Sequence, residues 1–177
     1  MKRLTVLTLL TVAMTVKSLA CIVASDSRIA CQLKPHFVFG ANATSYYGFG
    51  SDKVYHFDKN HMGVDGYLGI ETPKRYVTFV LDGGAVIDRS SYHIGADILI
   101  DPLGWKSNAF VLPKFIAAGG YRNMNGLSKG YAEVGIELVF GRRTSIINVV
   151  IDSRVGSMFS NTDWYNINRI GLRVNIP

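Results

Sequence analysis

An alternation of apolar and polar positions is the strongest signal in the chain. Between residues 131 and 141 every second position is apolar, and the members of this set are Ala132, Val134, Ile136, Leu138 and Phe140. The intervening positions include Glu133 and Glu137 on either side of Gly135. A period of two predicts a β-strand with one apolar and one polar face. Its length is about the 9–11 residues that a tilted strand needs to cross a bilayer.

The same pattern recurs and predicts eight strands. They lie at about 35–48, 62–71, 77–87, 92–101, 107–121, 131–141, 147–156 and 169–176. Turns rich in proline and polar residues separate them, as at Thr72-Pro73-Lys74-Arg75. The fifth strand cannot be phased, because one phase places Pro113 in mid-strand and the other Lys114. We expect a bulge at Pro113.

Eight strands in hairpin order, with no competing helical period, predict an all-β fold. The architecture expected is an eight-stranded antiparallel up-and-down transmembrane β-barrel over residues 35–177. Closure of the barrel would remove the exposed edges that so long a meander otherwise presents.

Residue size indicates which face of the strands points inward. Ten glycines lie on the polar face, namely Gly40, Gly48, Gly63, Gly69, Gly84, Gly95, Gly135, Gly141, Gly156 and Gly171. The apolar face of the phased strands has three, Gly66, Gly83 and Gly130. An eight-stranded barrel has an interior just wide enough for side chains to fill. We therefore expect the glycine-rich polar face inside and the apolar face toward lipid.

Charged residues on the polar face predict a network of ion pairs in the lumen. Its members are Asp65, Asp82, Asp97, Glu133, Glu137, Asp152, Arg154, Arg169 and Arg173. Carboxylates outnumber arginines in this set, so water, bound cations or protonation would have to settle the excess. The four histidines lack the spacing of metal ligands, and the chain carries no nucleotide or phosphate motif. We expect no metal and no cofactor.

The N-terminal segment has the features of a secretory signal. A charged start, a short apolar stretch and small residues before Cys21 predict cleavage of residues 1–20. Residues 21–34 would then form a short periplasmic extension. Cys21 and Cys31 would meet in an oxidising compartment, where we expect a disulfide. Two alternatives stay open, which are lipidation of Cys21 and a cut after Ala24 that removes it.

Charge argues against nucleic acid as a partner. The chain has 19 basic and 13 acidic residues. Removal of residues 1–20 takes away three of the basic residues, Lys2, Arg3 and Lys17. The remaining positive residues are scattered and form no basic stripe interleaved with aromatics.

The segment from Pro35 to Ile176 resembles the small eight-stranded outer-membrane barrels of Gram-negative bacteria, the class with OmpA-like and OmpX-like architecture. The resemblance is one of strand pattern and not of a diagnostic motif. It implies an outer-membrane location, contact with outer-membrane lipid and a monomeric barrel with a plugged polar lumen. Such barrels usually end in an aromatic residue that the assembly machinery reads, whereas this sequence ends Val174-Asn175-Ile176-Pro177.

These features favour a non-enzymatic structural or surface-interaction role carried by the loops. By the usual arrangement the outward loops are about 50–60, 88–91, 122–129 and 157–164. The first contains Tyr55, His56 and Phe57, the best candidates for contact with an envelope or extracellular partner.

Two alternatives carry different chemistry. A lipid A-modifying hydrolase or transferase could use His93 with Ser91, Asp82 and Asp97. A lipid A deacylase of the PagL kind would carry a His-x-Ser pair late in the barrel, but the corresponding segment Val150-Ile151-Asp152-Ser153-Arg154 has no histidine. The other alternative is a soluble periplasmic barrel that carries an apolar ligand, with its glycine-rich face outside.

Overall fold

The structure is a computed structural model that describes residues 35–49, 61–87, 90–104, 109–124, 127–142, 145–159 and 164–176. Its strands are β1 (His36–Phe49), β2 (His61–Glu71), β3 (Val77–Val86), β4 (Ser91–Ile100), β5 (Val111–Met124), β6 (Leu127–Phe140), β7 (Ile147–Met158) and β8 (Trp164–Ile176). A short 3-10 turn, Pro73–Arg75, joins β2 to β3. In these ranges no helix is long and apolar enough to span a membrane.

The strands close into an antiparallel up-and-down barrel, as the sequence predicts. Each strand pairs with its neighbours in chain order, and β8 pairs with β1. The pairing path that starts at Phe37 runs through Ile70, Phe79, Ile98, Ala117, Val134, Val155 and Asn166 and returns to β1 at Tyr47. The path therefore gains ten residues in one circuit. Because stagger and tilt are linked, this stagger requires strands inclined by about 35–45° to the barrel axis.

The two faces of the sheet point as predicted. Large apolar side chains are exposed on the outside, among them Phe39, Leu68, Leu81, Ile94, Phe115, Val134 and Leu172. Charged and polar side chains of the alternate positions are buried inside. A soluble barrel that carries an apolar ligand requires the reverse arrangement.

The structure shows which residues of the fifth strand point inward, a question that the sequence left open. Lys114 points inward and is buried, whereas Pro113 points outward. The bulge expected at Pro113 is wrong, because the β5–β6 register runs from Val111 to Met124 without an extra residue. The reason is that β4 ends at Ile100, opposite Phe115. Pro113 therefore pairs on one side only, where a missing backbone N–H is tolerated.

Aromatic side chains cluster at both ends of the barrel's outer surface. Those at the end where β1 begins and β8 ends include Phe37, Tyr76 and Phe110, and those at the opposite end include Tyr47, Tyr92, Tyr121, Phe159 and Trp164. We call the second set the upper girdle. Phe37 and Tyr47 are ten residues apart on β1, which at about 3.3 Å per residue and about 40° of tilt places them about 25 Å apart along the axis. This is about the height of the apolar band of outer-membrane barrels.

Inward glycines make room for large side chains of other strands. A Cβ added at Gly40 would lie 2.5 Å from the Tyr67 ring and would also meet the Leu172 carbonyl oxygen. A Cβ added at Gly95 would collide with the Tyr131 hydroxyl. Glycine at these positions lets a tyrosine lie across the narrow interior.

Gly40 and Gly66 offer a matched test of this packing. We expect Gly40→Ala to lower the free energy of unfolding by about 1–3 kcal/mol, the usual cost of overpacking. Gly66 faces outward, and its added Cβ would meet no atom closer than 3.9 Å. Gly66→Ala should therefore change stability by less than about 0.5 kcal/mol. Urea unfolding in lipid vesicles measures both, and equal effects of the two variants would contradict the packing described.

Candidate functional site in the barrel interior

Ionisable side chains occupy the interior along the length of the barrel. The buried acidic residues of the described ranges are Asp65, Glu71, Asp82, Asp97, Asp101, Glu133, Glu137 and Asp152. The buried basic ones are Arg75, Lys114, Arg122, Arg154, Arg169 and Arg173. All nine residues that the sequence suggested for a lumen network lie in this set. Buried charges require partners, since an uncompensated charge away from water costs several kcal/mol.

The layer nearest the start of β1 and the end of β8 is built around Glu71. The Lys114 ammonium donates to Glu71 Oε1 at 2.8 Å, and Arg75 Nε lies 3.5 Å from Glu71 Oε2. Beside this group, Arg173 Nη1 donates to Glu137 Oε1 at 2.7 Å. These pairs connect β2 to β5 and β6 to β8, strands that are not neighbours in the sheet.

The middle layer holds two arginines among five carboxylates. Arg169 Nε lies 2.8 Å from Asp65 Oδ2, and Arg169 Nη1 lies 3.4 Å from Asp82 Oδ2. Arg154 Nη2 lies 2.8 Å from Asp97 Oδ2 and 3.1 Å from Asp152 Oδ2. Its Nη1 is 3.7 Å from Glu133 Oε2. Each of the two guanidinium groups is therefore shared among two or three carboxylates.

The upper layer is a guanidinium enclosed by three aromatic rings. The Arg122 guanidinium carbon lies 5.4 Å from the ring centre of Tyr46, 4.8 Å from that of Tyr131 and 4.6 Å from that of Tyr165. Arg122 Nη2 donates to Glu133 Oε1 at 2.8 Å, and the Tyr165 hydroxyl donates to the same oxygen at 2.9 Å. Ring faces attract a cation most strongly when both are removed from water. Arg122 thus has both a carboxylate and aromatic partners.

Sequence reasoning missed Lys114 because it could not phase the fifth strand, and it missed Arg122 because it ended that strand at residue 121 and expected a loop from residue 122, whereas β5 continues to Met124. Both positions share the parity of Leu112, Ile116 and Gly120, so one phase accounts for them all. That phase directs Pro113 outward, and the missing backbone N–H is tolerated because β5 pairs at this position with β6 alone. The two cations also offset part of the acidic excess inferred from the sequence. No group of three or more His, Cys, Asp or Glu side chains in the described residues could hold a metal ion.

The structure brings together only part of the suggested catalytic set. His93 Nε2 lies 3.3 Å from Asp82 Oδ2, and the His93 ring meets Tyr131 edge-on at 6.3 Å between centres. The Ser91 hydroxyl donates instead to the Asn123 carbonyl oxygen at 2.8 Å. Asp97 pairs with Arg154. In the part of the chain that the structure describes, the His93–Asp82 pair therefore contacts no serine, and the contacts of His93 are those of a structural member of the lumen network.

Two small cavities lie between these side chains. A cavity of ≈ 10 Å³ lies in the middle layer against Asp97, Asp152 and Arg154. Another of ≈ 20 Å³ lies beside Glu71, Lys114 and Arg173. A cavity needs roughly 10–15 Å³ to hold one water molecule. Each of the two has room for about one.

The Arg122–Glu133 pair can be tested by a double-mutant cycle. Arg122→Met should lower the free energy of unfolding by about 3–5 kcal/mol, because it leaves the buried Glu133 carboxylate without its closest cation. In the double variant with Glu133→Gln the neutral amide needs no cation, so the combined loss should be smaller than the sum of the single losses. Urea unfolding measures all four proteins. Additive losses would show that the two side chains are not coupled.

Several predictions lie outside the described residues. The signal segment, the extension 21–34, Cys21 and Cys31 all precede residue 35. The loop residues Tyr55, His56 and Phe57 lie between β1 and β2, also outside these ranges. Each stays a prediction.

Comparison with known proteins supports the fold. No protein-family model matches the chain, and no curated protein matches it. Among solved structures, Neisserial surface protein A is 14% identical, with 78% of this chain and 96% of that chain covered and a TM-score of 0.56. The N-terminal β-barrel domain of Pseudomonas aeruginosa OprF is 12% identical, with 77% and 96% covered and a TM-score of 0.56. Both are small eight-stranded outer-membrane β-barrels. At these identities, the likeness shows that the chain has their fold.

Proposed function

We propose that this protein is a non-enzymatic β-barrel of the Gram-negative outer membrane, with a closed polar lumen and a structural or surface-interaction role carried by its loops. The observation that carries the proposal is the apolar band on the outside of a closed barrel whose inside is charged. Residues 1–20 would direct export, and residues 21–34 would remain in the periplasm.

The outer surface supports a lipid environment. Soluble monomers rarely expose apolar patches larger than a few hundred Å², whereas here exposed apolar side chains encircle the barrel. In lipid such a surface is favourable. Closure also pairs the backbone groups of every strand, which a chain crossing the hydrocarbon region requires.

The interior supports a closed lumen. Ion pairs run across the barrel between strands that are not adjacent, as from Arg169 on β8 to Asp82 on β3 and from Lys114 on β5 to Glu71 on β2. Arg122 and its three tyrosines fill the end nearest the upper girdle. Side chains that pair across the lumen in this way leave no room for a continuous water path through which ions could pass.

The loops carry whatever recognition the protein performs. With the start of β1 and the end of β8 toward the periplasm, the upper girdle lies at the outer surface, on the side where β1 ends and β2 begins. Tyr55, His56 and Phe57 remain the proposed contact residues for an envelope or extracellular partner.

Cell fractionation followed by gel electrophoresis of boiled and unboiled samples tests the location. We expect the protein in the outer-membrane fraction, with faster migration before boiling, because a closed barrel resists detergent until it is heated. A soluble periplasmic protein without a mobility shift would contradict the proposal.

Conductance in planar bilayers tests the closed lumen. We expect no stepwise current from inserted protein, because buried ion pairs cross the interior. The mobility shift of the same preparation controls for folding. Regular steps of a single size from folded protein would show that the lumen conducts, and would leave the membrane location intact.

A further inference from the structure

Three adjacent strands, β7, β8 and β1, carry polar side chains on the otherwise apolar outward face of the barrel. Asn168 on β8 pairs with Ser45 on β1 and with Ser153 on β7, and all three side chains point outward. Asn166 lies one step further toward the upper girdle on β8. We call these four residues the outer polar patch. On the outward face of β2 to β6, by contrast, the positions between the aromatic ends are glycine, proline, aliphatic or aromatic.

The outer polar patch lies within the apolar band and not at its edge. Asn168 is four residues from Trp164 and Ser153 is six from Phe159, which places them about 10 Å and about 15 Å below the upper girdle at the tilt given above. Ser45 lies two residues, or about 5 Å, below Tyr47. In a membrane, Asn168 and Ser153 would be at the depth of the acyl chains.

The hydrogen-bonding capacity of the patch is only partly used. The Asn168 amide donates to Asn166 Oδ1 at 2.5 Å, and the Asn166 amide donates to the Arg154 carbonyl oxygen at 3.1 Å. The Asn168 carbonyl oxygen and one of its two amide N–H groups take no part in these hydrogen bonds. Within the described ranges the Ser45 and Ser153 hydroxyls have no hydrogen bond. Polar groups without partners are costly in hydrocarbon.

A second copy of the chain supplies partners at the required depth. Lipid headgroups and linkages lie near the aromatic girdles, above Asn168. A second barrel inserted in the same orientation, however, brings the same groups to the same depth about a two-fold axis along the membrane normal. An asparagine amide has both donors and acceptors, so Asn168 can pair with its own counterpart. Ala43, beside the patch on β1, permits close approach of the two backbones.

We propose that two copies of this protein associate in the membrane through β7, β8 and β1, with the outer polar patch at the centre of the contact. The inference rests on the proposed membrane location, and it replaces the monomer that the sequence suggested. Asn168 lies on the central strand and forms the symmetric contact, and Ser45 and Ser153 lie on either side of it.

Energy transfer between donor- and acceptor-labelled copies of the full folded protein tests the association. Measured in phosphatidylcholine vesicles at increasing lipid-to-protein ratio, transfer by the wild-type protein should fall along a reversible dimer curve. Asn168→Leu should weaken association about tenfold, the scale of a polar contact between membrane segments. The variant Ser45→Val/Ser153→Val should also weaken it, whereas Asn168→Gln, which keeps the amide, should retain association.

Asn123→Leu is the matched control. It makes the same chemical change on β5, beyond Tyr121 and outside the apolar band, and should leave association unchanged. The mobility shift checks that every variant is folded. If Asn168→Leu does not fold, the double serine variant tests whether the outer polar patch mediates association.

Two results would overturn the proposal. One is wild-type protein that is monomeric at every lipid-to-protein ratio. A lipid found bound at Asn168 of such a monomer would not rescue the proposal. The other is association that survives both apolar variants. A folded outer-membrane monomer would refute the self-association alone, whereas a soluble protein would refute the proposed function as well.

Discussion

The narrow interior of a closed eight-stranded barrel governs the rest of this structure. With a stagger of ten residues, the wall encloses only enough space for side chains that fit one another. Inward glycines therefore lie beneath tyrosine rings: Gly40 lies beside Tyr67 on the neighbouring strand, and Gly95 on β4 lies against the Tyr131 hydroxyl of β6. The same confinement brings charged groups close enough to pair, so packing and electrostatics are satisfied by one arrangement.

Confinement also explains why the charges form layers. An arginine reaches across a narrow lumen to carboxylates on strands that are not its neighbours, and Glu71 and Glu133 each meet two cations. Removal of a single member leaves its partners buried with fewer contacts, so the members of a layer act together. The enclosure of Arg122 by three tyrosines follows the same rule, since the rings occupy the space above inward glycines and offer their faces to the cation.

Strand number, order and facing followed from the sequence because they depend on a period of two and on residue size. The nine lumen charges could be named for the same reason. The pattern is ambiguous on β5, where two residues favour opposite phases. Pro113 and Lys114 compete for the same phase on β5, and the answer depended on where β4 ends, which is a property of the pairing and not of β5. The first residues of β8 were missed because the polarity inverts there, with Ile167 buried inside and Asn168 exposed outside.

The arginines of β8 have a consequence for the order of assembly. Arg169 and Arg173 are contributed by the last strand, but their carboxylate partners lie on β2, β3 and β6. Until β8 docks between β7 and β1, Asp65 and Glu137 lack these cations, and a partly closed sheet must keep them hydrated. Desolvation of the interior and closure of the seam thus become one event. A chain shortened before Arg169 would lose most of β8 and both of its arginines. It would retain acidic groups that no remaining residue of β8 could neutralise.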